Sequence, residues 1–314
     1  MATDLASLQR RFASTDFLTF DQHDSLIRVH VTTRQATATI FLQGAHLTAW
    51  QPDGQQPVIF LSRKSEFLPG KPIRGGIPIA FPWFAIDSKP DRIDGHPGPS
   101  HGFARLSEWT LSSAVRSGEN AVLTFELDPN DLSRSLGFGH FHLKMVFTIG
   151  PTLTLALTVS NTDDKPLQFE EAFHTYYAVT DIHEITVTGL EATGFIDKTD
   201  NMKRNPATNA PLTYTKFTDR VYNNTTAACT IHDGAGKRSI HIHKENSNTT
   251  VTWNPWNELP DLGPWEWHEM VAVETANTAE NTVTLAPGAN HTMRATISCD
   301  KMTTPASRSP HDTA

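Results

Sequence analysis

Thr152-Leu153-Thr154-Leu155-Ala156-Leu157-Thr158-Val159 alternates without a break, placing Leu153, Leu155, Leu157 and Val159 on one face and three threonines with Ala156 on the other. That period of two is the signature of a half-buried antiparallel strand, apolar toward a core and polar toward water. Its neighbours must then be strands as well. Working outward, Leu26–Val31, Thr37–Leu42, Val122–Leu127, His142–Ile149, Glu184–Val187, Ser239–His243, Met270–Glu274 and Met293–Ser298 read as further short strands rich in β-branched residues. Turn signals separate these runs, at Pro52-Asp53-Gly54, Asp94-Gly95-His96-Pro97-Gly98-Pro99, Asn161-Thr162-Asp163-Asp164 and Asp233-Gly234-Ala235-Gly236. Only Leu5–Phe12 fits a short helix. The expected class is all-β, a sandwich or barrel of antiparallel strands rather than alternating βαβ units.

The chain of 314 residues is 38% hydrophobic and 19% charged, enough apolar material for one large core. We expect residues 1–16 to be an N-terminal extension, 17–302 a single β-sandwich domain, and the Pro/Ser/Thr-rich stretch 303–314 a disordered tail. A net charge of −8 argues against nucleic acid or anionic membrane as partners, so an anionic ligand would have to be held by a few local cations. Cys229 and Cys299 are too few for a disulfide framework and lack zinc spacing. No apolar run follows Arg10 and Arg11, so neither a signal peptide nor a membrane span is expected, and the expected location is the cytoplasm. No coiled-coil pattern demands assembly, and a monomer is expected. His140 with His142 and His241 with His243 have spacings a metal uses, but such pairs are mostly solvated surface, and no metal or cofactor is expected.

Six segments carry chemistry-bearing residues. In Lys71-Pro72-Ile73-Arg74-Gly75-Gly76-Ile77-Pro78-Ile79-Ala80-Phe81-Pro82-Trp83-Phe84 the prolines rule out a regular helix or central strand, leaving a shaped loop. Arg74 is either a bidentate donor to phosphate or carboxylate or a cap on another loop. Ser100-His101-Gly102-Phe103-Ala104-Arg105 offers a second cation. His174, inside Glu170-Glu171-Ala172-Phe173-His174-Thr175-Tyr176-Tyr177, is either a satisfied core or rim residue or a catalyst. Trp253-Asn254-Pro255-Trp256 and Trp265-Glu266-Trp267 suit the C–H faces of a sugar and equally the closing of a sandwich. Glu274 ends the apolar stripe Met270, Ala272, Glu274; it is either salt-bridged or a general base whose pKa is raised by desolvation.

Taken in order, these motifs, with Gly44-Ala45-His46-Leu47, Asp197-Lys198 and Leu285-Ala286-Pro287-Gly288, resemble the hexose-6-phosphate mutarotase (glucose-6-phosphate 1-epimerase) branch of the aldose 1-epimerases from about Phe17 to Cys299. The resemblance implies a galactose-mutarotase-like antiparallel β-sandwich, a supersandwich with short helices. It also implies a cofactor-free isomerase that interconverts the α and β anomers of a hexose 6-phosphate, glucose 6-phosphate foremost. His174 would be the general acid and Glu274 the general base. Arg74 and Arg105 would clamp the phosphate, with Lys71 a third candidate cation, His101 would hold the ring, and Asp197 would bind a hydroxyl. Two other functions are weighed against this: an epimerase of free aldoses in which both arginines are structural, and a non-catalytic carbohydrate-binding protein.

Overall fold

In the computed structural model residues 4–87 and 97–301 are described, so the expectation for 303–314 falls outside the described residues. The strand that anchors the sequence reading runs Leu153–Asn161 and is buried on alternate residues. Leu153, Leu155, Leu157 and Val159 are fully buried, while Thr154 and Thr158 meet Thr296 and Thr292 across the strand pair on the other face. It pairs on both sides, with Phe141–Ile149 and with Asn290–Lys301. These three are the centre of an eight-stranded antiparallel sheet whose order is Ile185–Thr188, Cys229–Asp233, Arg238–Glu245, Asn290–Lys301, Leu153–Asn161, Phe141–Ile149, Asn120–Leu127, Thr110–Ser117.

A second eight-stranded sheet is built around Met270–Asn277, which pairs with Thr249–Asn254 on one side and with Glu171–Phe173 and Tyr176–Ala178 on the other. Beyond them lie Thr218–Asn223, Phe195–Asp197 and Lys203–Asn205 in one direction and Ile79–Ala80 in the other. A four-stranded meander, Leu18–His23 to His46–Pro52, flanks the pair of sheets. The helix Leu5–Arg11 starts at Asp4, which accepts from the Ser7 N–H at 2.9 Å, and buries Leu8. One apolar cluster joins Leu8, Leu155, Val271, Val273 and Cys299, and each fully buried aliphatic side chain in it stabilises the fold by roughly 1.5–3 kcal/mol.

Val271 and Val273 point into that cluster, so Ala272, Glu274 and Ala276 point the other way, the alternation read from sequence. All eight residues of Met270–Asn277 are nevertheless buried: on the outer face Phe84 lies against Ala80, Ala172 and Ala276 and against Ile196, Val221 and Val251, while Leu262 and Tyr176 pack with Met270. Between its prolines the loop of Arg74 and Phe84 forms a two-residue edge strand, Ile79–Ala80, paired with Ala172 and Phe173.

Two glycines let chain segments meet beneath this surface. Gly76 (φ +69°) sits where a Cβ would strike His46 and the Leu47 carbonyl. The His46 Nε2–H donates to the Gly75 carbonyl at 2.8 Å, so what the Gly75-Gly76 pair approaches is the protein's own backbone and His46. Gly102 (φ +73°) lies against the Phe81 carbonyl, leaving no room for a Cβ. Gly102→Ala combines strain in the left-handed region with a backbone clash, and we expect a loss of about 3 kcal/mol or more in urea unfolding. An unchanged midpoint would mean the 81–102 contact relaxes freely.

Candidate active site

His174 follows the strand Glu171–Phe173, and its N–H donates to the Pro78 carbonyl at 3.0 Å while the Tyr176 N–H donates to Gly76. The loop 71–84 is thereby stitched along the 174–176 segment. The imidazole lies nearly parallel to Tyr176 (4.8 Å between centroids, 15°) and takes an edge contact from His101 (5.1 Å, 76°). Phe84 meets His101 edge-on at 4.8 Å. His174 Nε2 is 3.4 Å from Glu274 Oε1, with 12% of the histidine side chain and 1% of the glutamate side chain exposed.

The surroundings disfavour an ion pair at that contact. Neither Glu274 carboxyl oxygen has a hydrogen-bond partner, and burial, with the Asp219 charge nearby, pushes its pKa well above the ordinary carboxylate range. Burial, then the charges of Arg74 and Arg105, push His174 down to about 3. A neutral imidazole therefore faces a carboxyl that resists ionising, a pair holding one proton between them. His101 is also held neutral by burial and by its charged surroundings. Its Nδ1 accepts from the Ala85 N–H at 3.3 Å, so its proton sits on Nε2 and is free to be donated.

The two arginines come to the same wall in different states. Arg74 is engaged: Nε donates to Asp261 at 3.0 Å and Nη1 to the Tyr176 hydroxyl at 2.8 Å. Burial works to lower its pKa, but Tyr176 and Asp261 hold it above its ordinary value. Arg105 donates from Nη2 to the Ser100 carbonyl at 2.6 Å, while its Nε is buried without a partner. Burial first, and Arg74 against it, bring Arg105 down to about 10. Lys71 is exposed, and the structure does not bring it to this group.

Asp197 is placed apart from the others. On its strand Phe195 and Asp197 share the face that carries Arg220 and Tyr222, whereas Ile196 packs toward Phe84 with Val221 and Val251. The Asp197 carboxylate is closed into a turn with Thr199, accepting from its N–H at 2.9 Å and its hydroxyl at 2.6 Å. The carboxylate whose charge bears on Glu274 is Asp219. It lies opposite Trp253, which lies opposite Ala272, which lies opposite Tyr176, one row across four strands. Lys198 Nζ is 2.9 Å from Asp219 Oδ2 and 5.7 Å from the centre of the Phe84 ring. The sequence reading missed Asp219 and Asp261, and treated Tyr176 and Lys198 only as parts of motifs. For Asp219 no local signal exists, since strand register alone brings it in.

A family model for aldose 1-epimerase matches residues 28–298. An Escherichia coli protein named "Putative glucose-6-phosphate 1-epimerase" is 35% identical over 266 residues, 82% of this chain and 85% of that protein. A Salmonella typhimurium protein of the same name is 34% identical over 268 residues, 83% and 86% of the two chains. The crystal structure of a Salmonella typhimurium protein described as a "putative mutarotase" superposes with a TM-score of 0.85 at 31% identity, covering 94% of this chain and 99% of that one. Its fold is the expected antiparallel sandwich, and structures described as galactose mutarotase-like share it at lower identity. With the family match spanning 28–298 and so enclosing the paired histidine and glutamate, the two arginines and Asp219, this chain belongs to the aldose 1-epimerase family.

Proposed function

We propose that the protein interconverts the α and β anomers of a hexose 6-phosphate, with glucose 6-phosphate as the first substrate to test, and that His174 and Glu274 do the chemistry. The observation that carries this is the buried pair of His174 and Glu274 at 3.4 Å. Opening a pyranose ring removes the proton from the C1 hydroxyl and delivers one to the ring oxygen, and both oxygens are bonded to the same carbon. The base and the acid must therefore stand side by side. Glu274 takes the hydroxyl proton, the C1–O5 bond breaks as the carbonyl forms, and O5 takes the proton from His174. Rotation about C1–C2 and the same transfers in reverse close the ring on the other carbonyl face, and both residues end as they began.

The active form needs the shared proton on His174, and the free protein keeps it on Glu274. The charges that depress His174 are Arg74 and Arg105. A phosphate dianion at those guanidinium groups offsets them and moves the proton toward the imidazole. Arg105, with its unpartnered buried Nε, supplies the waiting donor, while the His101 Nε2–H and Asp219 suit hydroxyls of the sugar. The reading gives Asp197 a structural turn rather than a hydroxyl contact. Residues 17–302 are taken as one domain, in keeping with the continuous apolar cluster. The two buried free thiols fit a reducing compartment such as the cytoplasm. The chemistry calls on no cofactor, and a monomer supplies every group.

One observation favours the free-aldose alternative: Arg74 already has partners in Asp261 and Tyr176. Magnetisation-transfer NMR of anomer exchange separates the readings. Wild type is expected to accelerate exchange of glucose 6-phosphate well beyond glucose, and His174→Ala to lose about 10²- to 10⁴-fold of that rate. Equal acceleration of both sugars overturns the phosphate reading, and acceleration of neither overturns the enzyme.

A further inference from the structure

We propose that Asp181, His183 and His268 form a binding site for one divalent transition-metal ion of the zinc class, a structural site separate from the reacting pair. The three side chains come from two short helical turns, Ile182–Glu184 with Asp181 as its cap and Glu266–Glu269. These turns are brought together where Val179 donates to the Glu269 carbonyl beside the paired strands Tyr176–Ala178 and Met270–Asn277. Their ligand atoms all lie within 4.8 Å of one another. The His183 Nδ1 and Asp181 Oδ1 are already 2.6 Å apart, and the two imidazoles meet edge to face at 5.1 Å.

Two imidazoles and one carboxylate are a donor set for Zn²⁺, Ni²⁺ or Cu²⁺ rather than for Mg²⁺ or Ca²⁺, which prefer oxygen alone. Donors bound to zinc at about 2.0–2.2 Å in a tetrahedron stand roughly 3.4 Å apart. Side-chain rotation at the half-exposed Asp181 and His183 covers the difference.

A second observation is independent of the ligands. Trp256 (φ +53°) and Trp265 (φ +64°) hold left-handed backbone, which costs a bulky residue on the order of 1–3 kcal/mol and tends to persist where the surroundings have a use for it. Both flank the cluster: Trp256 packs on His183 at 4.7 Å and Trp265 on His268 at 5.4 Å, with Trp267 against both histidines. An ion here pins the segment 255–269 to the end of the Tyr176–Ala178 strand. That segment carries Asp261, the partner of Arg74.

The tryptophans supply the readout. Titrating Cu²⁺ into protein stripped with a chelator is expected to quench tryptophan fluorescence saturably at one ion per chain, with Zn²⁺ in large excess reversing the quench and Zn²⁺ alone raising the melting temperature. His268→Ala and His183→Gln are each expected to weaken the ion at least tenfold. Asp181→Asn, which keeps the cap on an exposed turn, is the variant to use if His268→Ala does not fold. Quenching that does not saturate, exceeds one ion, or is unchanged in His183→Gln and Asp181→Asn overturns the site and assigns the effect to other surface histidines. Anomer exchange plays no part in this test, so its outcome is separate from that of the proposed function.

Discussion

Glu274→Gln is expected to reduce anomer exchange by about 10²- to 10⁴-fold while making the folded protein more stable at alkaline pH. The kinetic loss follows from removing the base positioned at 3.4 Å from His174. The gain in stability follows from the environment of the carboxyl. It is 1% exposed and neither oxygen has a partner, so the folded protein holds its proton far more tightly than the unfolded chain does. Folding then takes up a proton at any pH between the unfolded carboxyl's value of about 4.3 and the raised folded value. The native state binds more protons across that window, so stability falls as pH rises through it. An amide has no proton to lose and escapes this cost. Thermal melts of the two proteins should coincide near pH 4 and separate in favour of the variant at pH 8, by about 1–2 kcal/mol. A variant less stable than wild type at pH 8 would mean that Glu274 is ionised and stabilised in the fold, contrary to the reading of an uncompensated carboxyl.

Some of this arrangement was legible in the chain and some was not, for reasons of length and register. Leu153–Asn161 declared itself because one face is fully buried and the other carries threonines, and nine residues are enough to show a period. Met270–Asn277 showed the same alternation, but its burial on both faces was invisible, since the cover over its outer face comes from distant segments, Phe84 against Ala276 and His174 against Glu274. The strands Ile79–Ala80, Glu171–Phe173, Tyr176–Ala178 and Phe195–Asp197 are two or three residues long and exist because neighbours pair with them. No periodicity fits in so short a run. The choice between Asp197 and Asp219 illustrates the limit. Asp197 and Lys198 are adjacent and so face opposite ways, and only the pairing of Ile196 with Val221 decides that Lys198 and Asp219 share the face of Glu274. Resemblance named His174, Glu274, Arg74, Arg105, His101 and Asp197 by motif; the structure brings the first five together and turns Asp197 to the face of Arg220.

Arg105→Met is expected to separate recognition of the phosphate from the chemistry. The guanidinium is costly to keep where it is: burial brings it down to about 10, Arg74 opposes it, and its Nε has no partner. A structural arginine would have that nitrogen paired, as Arg238 is with Asp233 at 3.2 Å in the core. Replacement by methionine removes the uncompensated donor and keeps most of the side-chain volume, so the fold should hold, with only the Nη2 bond to Ser100 lost. A charge-assisted hydrogen bond to an anion contributes about 1.5–3 kcal/mol, so kcat/KM for glucose 6-phosphate should fall by roughly 10- to 100-fold. Exchange of glucose, slow as it is, should stay within about twofold of wild type, a ratio that cancels any general loss of folded protein. The pH profile supplies a second readout. Removing a positive charge that depresses His174 lets its pKa rise, so the pH range in which the pair holds one proton moves upward. A fall of equal size for both sugars, with the profile unmoved, would make Arg105 a brace for the His101 loop and leave Arg74 as the remaining candidate for the phosphate.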